Sequence, residues 1–220
     1  MGLIFILTDC SKKDDNIPIS ITDIDGNVYT SVTIGTQVWM VENLKTTKYR
    51  NGDLIGTTAP ATLEISQEAT PKYQWAYDDD ENNVVTYGRL YTWYAVTDTR
   101  NVCPVGWHVP SDAEWTTLTT SLGGEDVAGG KLKEAGTIHW QAPNEAATNE
   151  SGFTALPGGY RYFFGDYYHH IGNYGLWWSS TENSTADAYY RTMFYGFTNV
   201  ISYLYIYKQS GFSVRCLRDN

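Results

Sequence analysis

Two cysteines, Cys103 and Cys216, stand deep in this 220-residue chain, and a bond between them would close a loop of 113 residues. Any fold that made this bond would have to return its late segment to the neighbourhood of residue 103. The chain-entropy treatment assigns such a cross-link about 4–5 kcal/mol, and the bond would need an oxidising compartment. The alternative reading is two buried free thiols in a cytosolic protein. The third cysteine, Cys10, has another setting, directly behind the apolar run Gly2-Leu3-Ile4-Phe5-Ile6-Leu7.

That run has the apolar centre of a secretion signal, and a cysteine behind such a run is the residue that bacterial lipoproteins acylate. Residues 1–10 therefore read as a lipoprotein-type signal segment with lipidation at Cys10, although Asp9 stands where small residues are preferred and no charged region precedes the run. Residues 11–20, opening Ser11-Lys12-Lys13-Asp14-Asp15-Asn16, read as a polar tether, and its plain alternative is a solvated terminus. Residues 21–219 read as one domain, with no later segment apolar and long enough to span a bilayer.

A formal net charge of −10 with scattered Lys and Arg argues against a nucleic-acid partner, because phosphate binding needs clustered cations. The 18 Tyr and 8 Trp suit half-buried sheet faces and equally well ligand platforms. Residues 24–29 and 32–39 read as a hairpin turning at Asp25-Gly26-Asn27. Helical spacing of Tyr87, Leu90, Trp93 and Tyr94 predicts a first short helix over 87–96. A second follows Pro110, where Ser111 and Glu114 form a capping box and Trp115, Leu118 and Leu122 share one stripe until Gly123-Gly124. Beyond Gly152 the pattern turns to strands and glycine turns. In 200–207, Tyr203, Tyr205 and Tyr207 alternate with Leu204 and Ile206, and 211–217 reads as a last strand. The sum is an α+β fold.

Several of these stretches together resemble the Fibrobacter succinogenes major paralogous domain, a module of exported Bacteroidota and Fibrobacterota proteins. The resemblance rests on Val32-Thr33-Ile34-Gly35-Thr36-Gln37-Val38-Trp39-Met40 with Glu42-Asn43-Leu44, on Tyr87-Gly88-Arg89-Leu90-Tyr91, and on Cys103-Pro104 leading to Gly106-Trp107-His108-Val109-Pro110-Ser111-Asp112-Ala113-Glu114-Trp115. It continues through Gly129-Gly130-Lys131, Asn149-Glu150-Ser151-Gly152-Phe153, Leu156-Pro157-Gly158-Gly159, Trp177-Trp178-Ser179-Ser180 and Gly211-Phe212-Ser213-Val214-Arg215-Cys216. The family is similar in turn to the C-type lectin-like and formylglycine-generating fold. The resemblance implies two short helices flanking a mixed, mostly antiparallel sheet with long irregular loops, and it implies that Cys103 and Cys216 pair. It also makes the tether look like those that carry lipoproteins to the outer face of the outer membrane. It carries over neither the copper-binding cysteines of the oxidase branch nor the calcium-binding tripeptides of the lectin branch, which this chain lacks.

Among candidate sites, Asp78-Asp79-Asp80-Glu81-Asn82-Asn83 offers hard oxygens to calcium, the one cofactor it suggests, but without the spacing that wraps an ion, so a solvated turn is the stronger reading. His169-His170 lacks further ligands nearby in sequence, and His108 reads as a structural histidine. Trp177 and Trp178 are adjacent in a predicted strand, so one ring must face away from the other. An outward ring with Glu182, Arg191 and tyrosines would make a platform for a glycan. The competing reading puts the strand between two layers, with both rings in the core. The loop 160–174, with Tyr162, Tyr167 and Tyr168, is the expected variable contact surface. No nucleophile–base pair, Gly-x-Ser-x-Gly or phosphate loop is found. The expected function is a surface-displayed binding or adhesion module for a glycan or protein, not an enzyme. The alternative is an accessory subunit of a larger outer-membrane assembly.

Overall fold

Glycine turns cut the β-prone runs of this chain into short strands. The computed structural model describes residues 20–164 and 168–219, so the leader with Cys10, nearly all of the tether, and Tyr167 lie outside the described residues. At the start, Ile21–Thr22 pairs with Val28–Tyr29 around a turn in which the Asp23 carboxylate accepts the amides of Asp25 and Asn27. Ser31–Ile34 then pairs with Gln37–Met40 around Gly35, which takes φ +60°. The expected single hairpin is thus two in succession, because Gly35 supplies a second left-handed turn.

The late segment ties the sheets together. Leu217–Arg218 inserts between Gln37–Met40 and Trp107–His108 to complete a four-stranded antiparallel sheet. Upstream, Gly211 exchanges backbone hydrogen bonds with Arg161, and Phe212 does so with Tyr91, while Ser213 bonds Leu176 and Trp178. Val214 and Cys216 accept the amides of Leu44 and Met40. The same return brings Cys216 to Cys103, and the two form a disulfide with Cα atoms 6.0 Å apart.

Four α-helices are described, α1 (Glu81–Tyr87), α2 (Trp93–Val96), α3 (Asp112–Ser121) and α4 (Glu125–Leu132), where two were expected. α3 carries the expected capping box, with Ser111 and Glu114 each bonding the other's backbone amide. The helix expected over 87–96 is corrected. Asp80 caps α1 earlier, Gly88 ends it at φ +74°, Leu90–Tyr91 is a strand, and only one turn, α2, follows. α4 hides in the sequence because Gly129 and Gly130 weaken helix propensity. They are there for close approach: a Cβ on Gly130 would stand 2.6 Å from the Ala146 carbonyl oxygen. Past Gly152 the described residues hold no helix, as expected, and none of the described helices is long and apolar enough to cross a membrane.

The long strand Tyr174–Glu182 stands between two apolar clusters. Leu176 and Trp178 join Phe212, Val214 and Tyr91 on one side, while Trp177 joins Trp39, Trp115 and Phe153 on the other. The architecture is α+β, built of several small antiparallel sheets.

Candidate functional site

Tyr174–Glu182 pairs with Ala188–Phe194 so that Leu176 faces Thr192 and Trp178 faces Tyr190, and a third strand, Ile201–Tyr203, sets Tyr203 against Tyr190. Strand alternation therefore gathers Tyr174, Leu176, Tyr190, Thr192 and Tyr203 on one face and turns Trp177, Arg191 and Met193 to the other. The Tyr190 and Tyr203 rings stack at 5.4 Å with planes 21° apart. Phe212 forms the floor, 4.4 Å from Trp178 and 5.0 Å from Tyr190 between ring centres. Tyr160, Tyr162 and His170 make the opposite wall, and the space enclosed is about 270 Å³.

The cleft is aromatic and weakly polar. Burial raises the phenol pKa values of Tyr160, Tyr174 and Tyr190, and neighbouring phenols raise them further, so these hydroxyls stay neutral donors and acceptors. Thr192 lines the cleft almost fully buried, and its hydroxyl has no hydrogen-bond partner among the described residues. Apart from the phenols, His170 is the one ionisable group among the described lining residues.

The outward tryptophan platform does not form. Trp177 and Trp178 are both fully buried, Trp177 Nε1 donating to Asn43 Oδ1 at 2.8 Å and Trp178 Nε1 to the Tyr91 carbonyl at 2.7 Å. The reason is the two-layer packing: each face of the strand already meets a core. Arg191 is buried too, on the far face, where it pairs with Asp112 at 2.7 Å and Glu125 at 2.8 Å and so ties the first turns of α3 and α4 to the sheet. Glu182 is exposed and pairs with the buried Lys208. Tyr168 is buried against Tyr77, ring centres 5.2 Å apart. Of the residues expected to hold a ligand, Tyr162 lines the cleft, joined there by His170 of the histidine pair and by Tyr174 at the end of the expected contact loop.

Of the stacked pair, Tyr203 carried a legible signal, the alternation of 200–207, and Tyr190 carried none. Tyr203, Tyr205 and Tyr207 are exposed, while Leu204 and Ile206 are half-buried. The acidic loop is a capping structure, since Asp80 accepts the Asn82 amide, and among the described residues no group of three or more His, Cys, Asp and Glu is placed to hold a metal. His108 bridges Asp219 at 2.7 Å through Nδ1 and Glu114 at 3.0 Å through Nε2, clasping the last strand to α3.

Motif residues scattered through the chain converge on Arg215. Its Nε and Nη2 donate to Asn43 Oδ1 at 3.0 and 2.9 Å, its Nη1 donates to the Met40 and Phe153 carbonyls, and its guanidinium lies 4.3 Å from the Phe153 ring centre. These residues hold the scaffold; the cleft is lined largely by others. Compared with known families, residues 32–218 match the model described as Fibrobacter succinogenes major domain. No curated protein and no solved structure matches.

Proposed function

Because the chain belongs to the Fibrobacter succinogenes major domain family, we propose that it is a binding module rather than an enzyme, displayed outside the cytoplasm, with its ligand, a glycan or a protein, held in the tyrosine-lined cleft. The observation that carries this reading is the cleft itself: five tyrosines and a histidine converge on a concave apolar floor, which is the usual make-up of a small-ligand site. The Cys103–Cys216 disulfide supports an exported protein, and the cysteine behind the apolar leader supports lipid anchoring at the outer membrane. The capped α3 after Val109-Pro110 and the return of the last strand beside Gln37–Met40 support a C-type lectin-like arrangement.

A second reading, an accessory subunit docked in an outer-membrane assembly, is favoured by the exposed rings of Tyr205, Tyr207 and Phe164, which are 78 %, 47 % and 48 % accessible. A glycan array run beside pull-down from native membranes separates the two. Capture that is lost in Tyr203→Ala and kept in Tyr205→Ala supports the cleft, whereas the reverse pattern supports the docked subunit and removes the cleft from the function.

A further inference from the structure

The cleft has a chemical character narrower than binding in general. Its walls are ring faces, its polar atoms are hydroxyls and the ring nitrogens of His170, and Arg161, Arg191 and Lys208 are committed elsewhere. Arg161 donates to the Ala61 and Leu63 carbonyls and stacks 4.1 Å over Trp75. Arg191 faces the opposite side of the sheet toward Asp112 and Glu125. Lys208 is held by Glu182 and by the Ser184 and Thr185 carbonyls. An anionic ligand entering here would shed its hydration with no Lys or Arg among the described lining residues, in a protein whose net charge is −10.

A saccharide ring has the matching make-up: an apolar C–H face that lies on an aromatic ring and a rim of hydroxyls that both donate and accept. The volume, about 270 Å³, sits just below the range typical of drug-sized ligands, which suits one or two rings and not a long chain segment. Tyr203 stays exposed beside the ring of Tyr190 on which it stacks, so the pair presents an accessible aromatic face at the cleft. We infer that the cleft selects neutral saccharides over uronic, sialic or sulfated ones, with a sugar ring lying against Tyr190 and Tyr203. This rests on the reading of the cleft as the binding site.

The probes are neutral gluco- and manno-oligosaccharides against oligogalacturonate, titrated by calorimetry into the folded full chain. Binding of a neutral probe is expected, weakened about tenfold in the half-exposed Tyr203→Ala, the loss of one stacked ring. Preference for oligogalacturonate, or binding by no saccharide while a peptide ligand still depends on Tyr203, overturns the neutral-sugar inference and leaves the cleft reading standing. Saccharide binding indifferent to Tyr203→Ala overturns the cleft reading itself.

Discussion

Arg215 is fully buried with no ion-pair partner among the described residues, satisfied by amide and carbonyl oxygens. Lys133 repeats the device, its buried ammonium donating to the carbonyls of Glu145, Phe194 and Phe197. Arg50 does the same with the carbonyls of Cys103, Pro104 and Trp107. Irregular loops leave backbone carbonyls without ladder partners, and long cationic side chains supply the missing donors from a distance. Carboxylates show the opposite polarity at the first turn. Burial pushes the Asp25 carboxyl up, but the Thr47 amide, Lys48 and the hydroxyls of Thr47 and Thr46 outweigh it and hold the pKa down at about 2. An unfolded aspartate titrates near about 3.9, so this contribution is present above that value and is lost as pH falls through about 2. Urea midpoints measured from pH 5 to pH 2 should fall for the native chain, and less steeply for Asp25→Asn, which starts lower. Parallel curves would remove Asp25 from the acid response.

At the scale of elements, local signals were legible and those made by pairing were not. The capping box of α3 needs four adjacent residues, and a strand's alternation needs only its own sequence. α1 and α4 escape because the first is capped from an acidic stretch that also reads as a solvated turn, and the second contains two glycines whose purpose is a neighbouring carbonyl. The cleft escapes for a stronger reason: Tyr190, Tyr203 and Tyr160 meet only through strand register and the return of Phe212. The paired tryptophans looked like a site because adjacency in a strand turns one ring outward, and outward here means toward a second core. Gly88 shows how tightly such elements join. It holds φ +74°, and a Cβ there would lie 2.7 Å from the Asn43 Cβ and 2.8 Å from the Leu44 carbonyl oxygen. Asn43 also receives Trp177 and Arg215, so its displacement disturbs both cores. Gly88→Ala should cost roughly 2–4 kcal/mol in chemical denaturation. A loss below about half a kcal/mol, the level of an ordinary surface change, would show that the junction yields freely.

On the scale of the whole molecule, the disulfide and the late segment act on the same closure. Replacing Cys103 and Cys216 by serine together should remove about 4–5 kcal/mol and lower the melting temperature by roughly 10 °C. An unchanged melting curve, with the thiols verified absent, would mean that the backbone bonds of 211–218 alone hold the ends together. The return of the late segment towards residue 103 is what a bond between the two cysteines would require, whereas the order of strands is not legible, since nothing local says that Leu217 lies between Trp39 and His108.

The segment from Gly211 to Arg218 has a temporal meaning. Among the described elements it leaves the ribosome last, yet the first sheet, the tyrosine cleft and the disulfide all close on it. Until it arrives, the strand Gln37–Met40 and the segment at Trp107–His108 lack the strand that joins them, and the contact of Leu217 with Trp39, 178 residues apart, cannot form. A chain built this way has one late segment on which three closures depend, so loss of that segment would undo all three together.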